Sequence, residues 1–163
     1  MPDSKLWVVT GASRGIGAAI ARVAIEANHR VVLIARGEGV FTLAEGLGKN
    51  AFGIQCDVSD VRAVTDTIGS IVGQFGQINT LVNNAGVHRG GKVHRLTDGA
   101  WEEVLRVNLT GALNMTRAAI AHMTAGDAIV NVGAVVGFRG FPGDAAYASA
   151  KAGLSGLTKA LAI

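Results

Sequence analysis

Eight residues near the amino terminus, Thr10-Gly11-Ala12-Ser13-Arg14-Gly15-Ile16-Gly17, set three glycines between a short apolar run and a helix-length segment. Few backbones accept that order. The run Leu6–Thr10 has strand composition, the stretch from about Gly15 to Ala27 has helical spacing, and a second β-branched run, Val31–Ala35, follows at the distance of a βαβ unit. The predicted result is a parallel strand pair joined by a crossover helix, with the glycines in the first turn.

The alternation continues along the chain. Phe52–Cys56 reads as a third strand, and Val61–Phe75 as a helix whose apolar face carries Val61, Val64, Ile68 and Ile71. Asn79–Val82 reads as a fourth strand, ending in Asn83-Asn84-Ala85-Gly86. A long helix is expected from Asp98, as its N-cap, to about Met123, then a fifth strand at Ala128–Val132. Gly133–Gly143 reads as a loop, and a final helix starts near Asp144. The strands are nearly continuous in apolar character, which suits burial on both faces. The predicted fold is α/β, a doubly wound parallel sheet of Rossmann type with five strands, and residues 1–163 read as a single domain without linker, repeat or low-complexity segment.

Composition removes several function classes. The formal charge is +3, yet lysines and arginines are scattered singly and aromatics make up only 5% of the chain, so no nucleic-acid surface is expected. Glycines and charges interrupt every apolar run short of a bilayer span, and no membrane partner is expected. Cys56 is the lone cysteine, and MPDSKLWVVT lacks an apolar leader core, so a reducing cytoplasm is the expected compartment. His88 and His94, six positions apart, have no neighbours in the sequence to complete a metal shell and read as solvent or substrate-rim residues.

The glycine turn has a specific chemical use. Glycines let backbone N–H groups approach a diphosphate, and the helix that follows adds partial positive charge. An isolated glycine triplet reads equally as an ordinary turn, but here it stands between a strand and a helix, and a nicotinamide dinucleotide is the expected ligand. The second strand ends in Ile34-Ala35-Arg36, with no carboxylate to bond a ribose 2′-hydroxyl. Arg36 and Arg14 are instead suited to clamp a 2′-phosphate, which points to NADP(H).

Tyr147 and Lys151 are four positions apart at the start of the last helix and share a face. An ammonium beside a phenol stabilises phenolate, and such a pair is expected to deliver a proton to a carbonyl that receives hydride. Alone, the spacing also describes an aromatic beside a surface lysine. It gains weight from following the fifth-strand loop, on the ligand side of a doubly wound sheet.

Taken together, Thr10-Gly11-x-x-x-Gly15-x-Gly17, Asp57-Val58, Asn83-Asn84-Ala85-Gly86, Asn108 and Tyr147-x-x-x-Lys151 resemble the short-chain dehydrogenase/reductase family in order and spacing over essentially the whole chain. Within it, Thr-Gly-Ala-Ser-Arg-Gly-Ile-Gly and the Val-Val-Gly run after Ala134 are similar to the 3-oxoacyl-carrier-protein reductases. The resemblance implies cofactor contacts at Gly11, Ser13, Arg14, Gly15, Ile16, Gly17, Arg36, Asp57, Val58, Asn84, Ala85, Tyr147 and Lys151. It implies that Asp57 and Val58 contact adenine, that Tyr147 is the acid/base, that Lys151 holds the nicotinamide ribose and tunes the tyrosine, and that Asn108 anchors a water in the proton relay. It also implies a homodimer or homotetramer, and a small carbonyl or alcohol as substrate.

Two departures stand out. The family's carbonyl-binding serine, thirteen residues before the tyrosine, is Ala134 here. Family members also continue through two more strands and a substrate lid beyond the position of Ile163, so the resemblance implies a carboxyl-terminally incomplete fold. The expected activity is carbonyl–alcohol interconversion with NADP(H), with 3-oxoacyl thioesters as a candidate substrate class, impaired by these departures. The alternative is a non-catalytic nucleotide-binding or subunit-interaction protein of the same fold.

Overall fold

The computed structural model describes residues 4–162. Met1–Asp3 and Ile163, on which the expectations about a leader and the chain end partly rest, lie outside the described residues. The five expected strands are β1 Leu6–Thr10, β2 Arg30–Ala35, β3 Ala51–Gln55, β4 Thr80–Asn83 and β5 Ala128–Asn131, each within a residue or so of its expected bounds. They form one sheet in the order β3-β2-β1-β4-β5, and every pairing is parallel. The order reverses between β1 and β4, which places a ligand crevice at the carboxyl ends of those two strands.

Strand alternation builds the two faces. Leu6 and Val8 of β1 and Val32 and Ile34 of β2 point into one core with Val64, Ile68 and Ile71 of α3, Val61–Phe75. Val9, Val31 and Leu33 point the other way, against Ala21 and Ala24 of α1, Gly15–Glu26, and Val40 and Ala44 of α2, Gly39–Leu47. Burial on both faces holds for β1 and β4, while β5 at the sheet edge leaves Val130 exposed.

Several expectations need correction. Val61 belongs to the exposed side of α3, so the buried stripe is Val64, Ile68 and Ile71. α2 was not among the expected elements; it packs on β3, where Gly53 lets the helix backbone approach: a Cβ there would lie 2.9 Å from the Val40 carbonyl oxygen. Asp98 is not an N-cap, because the hydroxyl of Thr97 caps Ala100 N–H and Asp98 is the first helical residue. The long helix is also not uniform. It runs as α4, Asp98–Leu105, a π-helical turn, Arg106–Thr110, and α5, Gly111–Ala119, followed by a 3₁₀ turn at Ile120–His122. The loop after β5 contains a short helix, α6, Val136–Arg139, before α7, Ala145–Leu161.

Candidate active site

The turn after β1 and the turn after β4 are bonded into one unit. Thr10 Oγ1 donates to the Val82 carbonyl and accepts from the N–H groups of Asn84 and Ala85, both at 3.0 Å. Asn84 Nδ2 donates back to the carbonyls of Thr10 and Gly11. Gly11 has a φ of +63°, and a Cβ at Gly17 would lie 2.5 Å from both Gly11 O and Asn84 Nδ2, so neither position accepts a side chain without displacement. α1 starts here with no side-chain cap and no acidic residue in its first turn, unlike α3, where Asp60 accepts from Arg62 and Ala63 N–H. Its free N–H groups suit an anion.

A cavity of about 530 Å³ opens over this unit. Gly11, Ser13, Arg14, Gly15, Ile16, Arg36, Val58, Asn84 and Ala85 all line it, which brings together most of the sequence-predicted cofactor residues. Gly17 and Asp57 are not part of its wall. Gly17 allows the close approach just described. Asp57 Oδ1 accepts from Ser59 N–H and Oγ–H, at 2.9 and 2.7 Å, and Arg106 donates to the same hydroxyl at 2.6 Å. Burial opposes the Asp57 charge, but the Ser59 bonds and the Arg36 and Arg106 guanidiniums overcome it and hold the carboxyl below its usual range.

Lys151, Tyr147 and Asn108 stand outside that wall, on α7 and on the π-helical turn. Lys151 is buried, and its Nζ donates 2.6 Å to the carbonyl of Val132, just beyond β5, while lying 5.6 Å from the centre of the Tyr147 ring. Burial lowers the pKa of this lysine. Tyr147 moves the other way: burial and then the charge of Asp144 push its phenol above the ordinary value. Burial and the Asp144 carboxylate, and not the ammonium, set the direction of the phenol's shift here.

Asn108 lies in the π-helical turn that breaks the long helix. Its Nδ2 donates to Val87 O at 2.8 Å and to Val104 O, one turn back, at 2.9 Å, so the side chain serves a carbonyl that the wider π turn releases. Its Oδ1 is buried and has no partner. The absence of a side chain at Gly86 makes room for that oxygen, since a Cβ there would lie 2.5 Å from it. An unpaired buried acceptor of this kind fits an ordered water.

The sequence reading missed Thr10 as the hydroxyl that locks the two turns, Cys56 and Gly37 as cavity-wall residues, and the Val132 carbonyl as the lysine's partner. A threonine at a strand end directly before glycine was the only local hint. His88 is exposed, as expected, and also pairs with Asp144 at 2.7 Å. Ala134 stands half-buried in the loop after β5 and brings no donor to the site.

Comparison with known proteins agrees with this geometry. Residues 5–163 match the family described as short chain dehydrogenase. A 3-oxoacyl-[acyl-carrier-protein] reductase of Vibrio harveyi is 40% identical over 163 residues, covering 98% of this chain and 67% of that protein. Carbonyl reductase family member 4 of Danio rerio is 40% identical over 162 residues, covering 98% of this chain and 68% of that protein. The crystal structure of a short-chain dehydrogenase from Streptomyces avermitilis superimposes with a TM-score of 0.93 at 31% identity, covering 98% of this chain and 60% of that one. The chain thus spans about two thirds of the length of these curated relatives and 60% of that solved chain.

Proposed function

Because this chain belongs to the short-chain dehydrogenase family, we propose that it is an NADP(H)-dependent oxidoreductase that interconverts a carbonyl and an alcohol, with a 3-oxoacyl thioester as the favoured substrate class. The observation that carries the reading is that the carboxyl ends of the parallel strands hold both an uncapped helix start with a glycine turn, after β1, and Tyr147 with a buried Lys151, bonded just beyond β5. The residues fit a dinucleotide. The first-turn N–H groups of α1 would hold the diphosphate, Arg14 and Arg36 a ribose phosphate, and Val58 and Asp57 the adenine end. When bound, the nicotinamide supplies or accepts hydride.

The chain's own residues handle the proton. Tyr147 Oη would give a proton to the carbonyl oxygen as negative charge develops there, Lys151 would hold the nicotinamide ribose, and Asn108 Oδ1 would hold a water that restores the proton. Exposed Val93, Val135, Phe138 and Phe141, on segments that follow β4 and β5, give this end of the sheet apolar surface consistent with an acyl substrate. A single domain, a homodimer or homotetramer built on the α4–α5 and α7 helices, and a cytoplasmic address complete the proposal; no helix among the described residues is long and apolar enough to cross a membrane.

The second reading, a nucleotide-binding or subunit-interaction protein without turnover, is favoured by one observation, the alanine at position 134. NADPH oxidation with a panel of ketones and acyl thioesters separates the two. Turnover with any of them supports the reductase; NADPH binding without turnover supports the second reading, and no binding of either nicotinamide cofactor overturns both.

A further inference from the structure

The segment after β4 brings His88 against Tyr147. The rings meet edge to face, 5.3 Å between centres and 86° between planes. His88 Nε2 lies 2.7 Å from Oδ1 of Asp144, the residue at the start of α7 and three positions before the tyrosine. Although the imidazole is half exposed, its place is fixed from several sides. Arg89 donates from Nη1 to the His88 carbonyl and forks onto Glu103 of α4 at 2.8 and 3.0 Å. Gly91 N–H donates to Gly143 O at 2.8 Å, tying the segment that carries His88 to the one that carries Asp144. Gly90 leaves room for the pair, because a Cβ there would press to 3.0 Å on the imidazole Cε1.

A solvent-rim histidine needs none of this support. We propose that His88 and Asp144 act as a pair that positions Tyr147, a role distinct from those of Lys151 and Asn108. The proposal rests on the reading of Tyr147 as the acid/base group. Asp144 holds the imidazole with Nε2–H toward the carboxylate. That N–H offsets part of the Asp144 charge, and with it the repulsion that Asp144 exerts on a phenolate. The charged groups on the elements packed around Tyr147 are Asp144 and Lys151 of α7, His88 and the Arg89–Glu103 pair on the α4 side, and Arg139 on α6; of these, Asp144 is the one whose charge raises the phenol.

Tyr147 is the only tyrosine in the chain, so its ring resonances and its tyrosinate absorbance report on this site without substrate or cofactor. The midpoint at which tyrosinate absorbance appears is expected to rise in His88→Ala, which leaves the Asp144 carboxylate without its Nε2–H partner, and to fall in Asp144→Asn, which removes the charge. An unmoved midpoint in either variant would overturn the pairing. Should His88→Ala fail to fold, Asp144→Asn still decides. NADPH affinity measured on the same samples reads the oxidoreductase assignment separately: loss of cofactor binding with both shifts intact overturns that assignment and leaves the coupling of the pair to Tyr147 standing.

Discussion

Lys151 spends its ammonium on the backbone of Val132, donating 2.6 Å to a carbonyl nineteen positions earlier in the chain. The bond anchors α7 to the end of β5 and fixes the lysine over the Tyr147 ring. It also leaves a charge in a buried place, which is why its pKa is lowered.

Replacing this lysine tests both consequences. Lys151→Met should weaken NADPH binding at least tenfold, as loss of one charge-assisted hydrogen bond of ~1.5 to 3 kcal/mol allows, and should abolish turnover. The pH sign follows from the lowered pKa: the folded chain releases this proton before the unfolded chain does, so the unsubstituted protein gains stability as pH rises from the folded value toward 10.5. Above 10 the raised phenol of Tyr147 acts in the opposite sense, because the folded state then holds the proton longer. Denaturant midpoints compared at pH 8 and pH 10 should rise in the unsubstituted protein, and the Met variant should lose that rise.

Cofactor preference is expected to come from two exposed arginines at the cavity wall, Arg14 and Arg36. NADPH should bind more tightly than NADH by tenfold or more, at ~1.5 to 3 kcal/mol per charge-assisted contact. In the Arg14→Ala/Arg36→Ala variant that preference should collapse, mainly through weaker NADPH binding. Calorimetry on both cofactors decides the matter, and equal affinities in the unsubstituted protein would defeat the assignment.

Ala134 offers no donor to a carbonyl oxygen that becomes negative during hydride addition. Losing one preorganised donor typically costs ~10² to 10³ in rate. Ala134→Ser should therefore raise NADPH-dependent carbonyl reduction at least tenfold, mostly in kcat. Unchanged steady-state rates in the serine variant would show that position 134 does not face the reacting carbonyl.

Gly17 tests the bonded turn itself. An alanine Cβ would press on Gly11 O and Asn84 Nδ2 at 2.5 Å, so Gly17→Ala should force the two turns apart. A cost of ~1 to 3 kcal/mol is expected from overpacking, together with a loss of NADPH affinity larger than that of any single arginine variant. Thermal unfolding and calorimetry read the two effects independently.

Part of the acid sensitivity should come from the opposite end of the sheet. Burial opposes the charge of Asp127, but Asp127 accepts from Thr124 N–H, Gln77 Nε2 and Asn79 Nδ2 at 2.6 to 2.9 Å, and together these bonds outweigh it, bringing its pKa from 3.8 to about 2. Its contribution is present above the unfolded value of 3.8 and is lost as pH falls through 2. Solvent screening limits it to less than ~1 kcal/mol. Asp127→Asn should flatten the fall in urea midpoint between pH 4 and pH 2; an identical fall in both proteins would assign acid sensitivity elsewhere.

What the sequence determined by itself is local. Leu6–Thr10 and Val61–Phe75 were legible to the residue because strand and helix periodicity are written in consecutive side chains. Gly11 and Gly17 were legible because a strand, a glycine turn and a helix follow one another in the chain. α2 was not, since its nine residues include two glycines and its helix is completed by packing on β3 at Gly53. Tertiary structure alone decided the rest. Asn108, in the π turn, bonds the Val87 carbonyl twenty-one positions away, the lysine's partner is a backbone oxygen beyond β5, and the phenol's direction of shift comes from how deeply Tyr147 is buried beside Asp144. Periodicity and motif spacing say which groups share a neighbourhood, but hydrogen-bond partners and pKa shifts depend on desolvation and on distances of a few ångströms between segments remote in sequence, and those are fixed only when the sheet and its helices close around them.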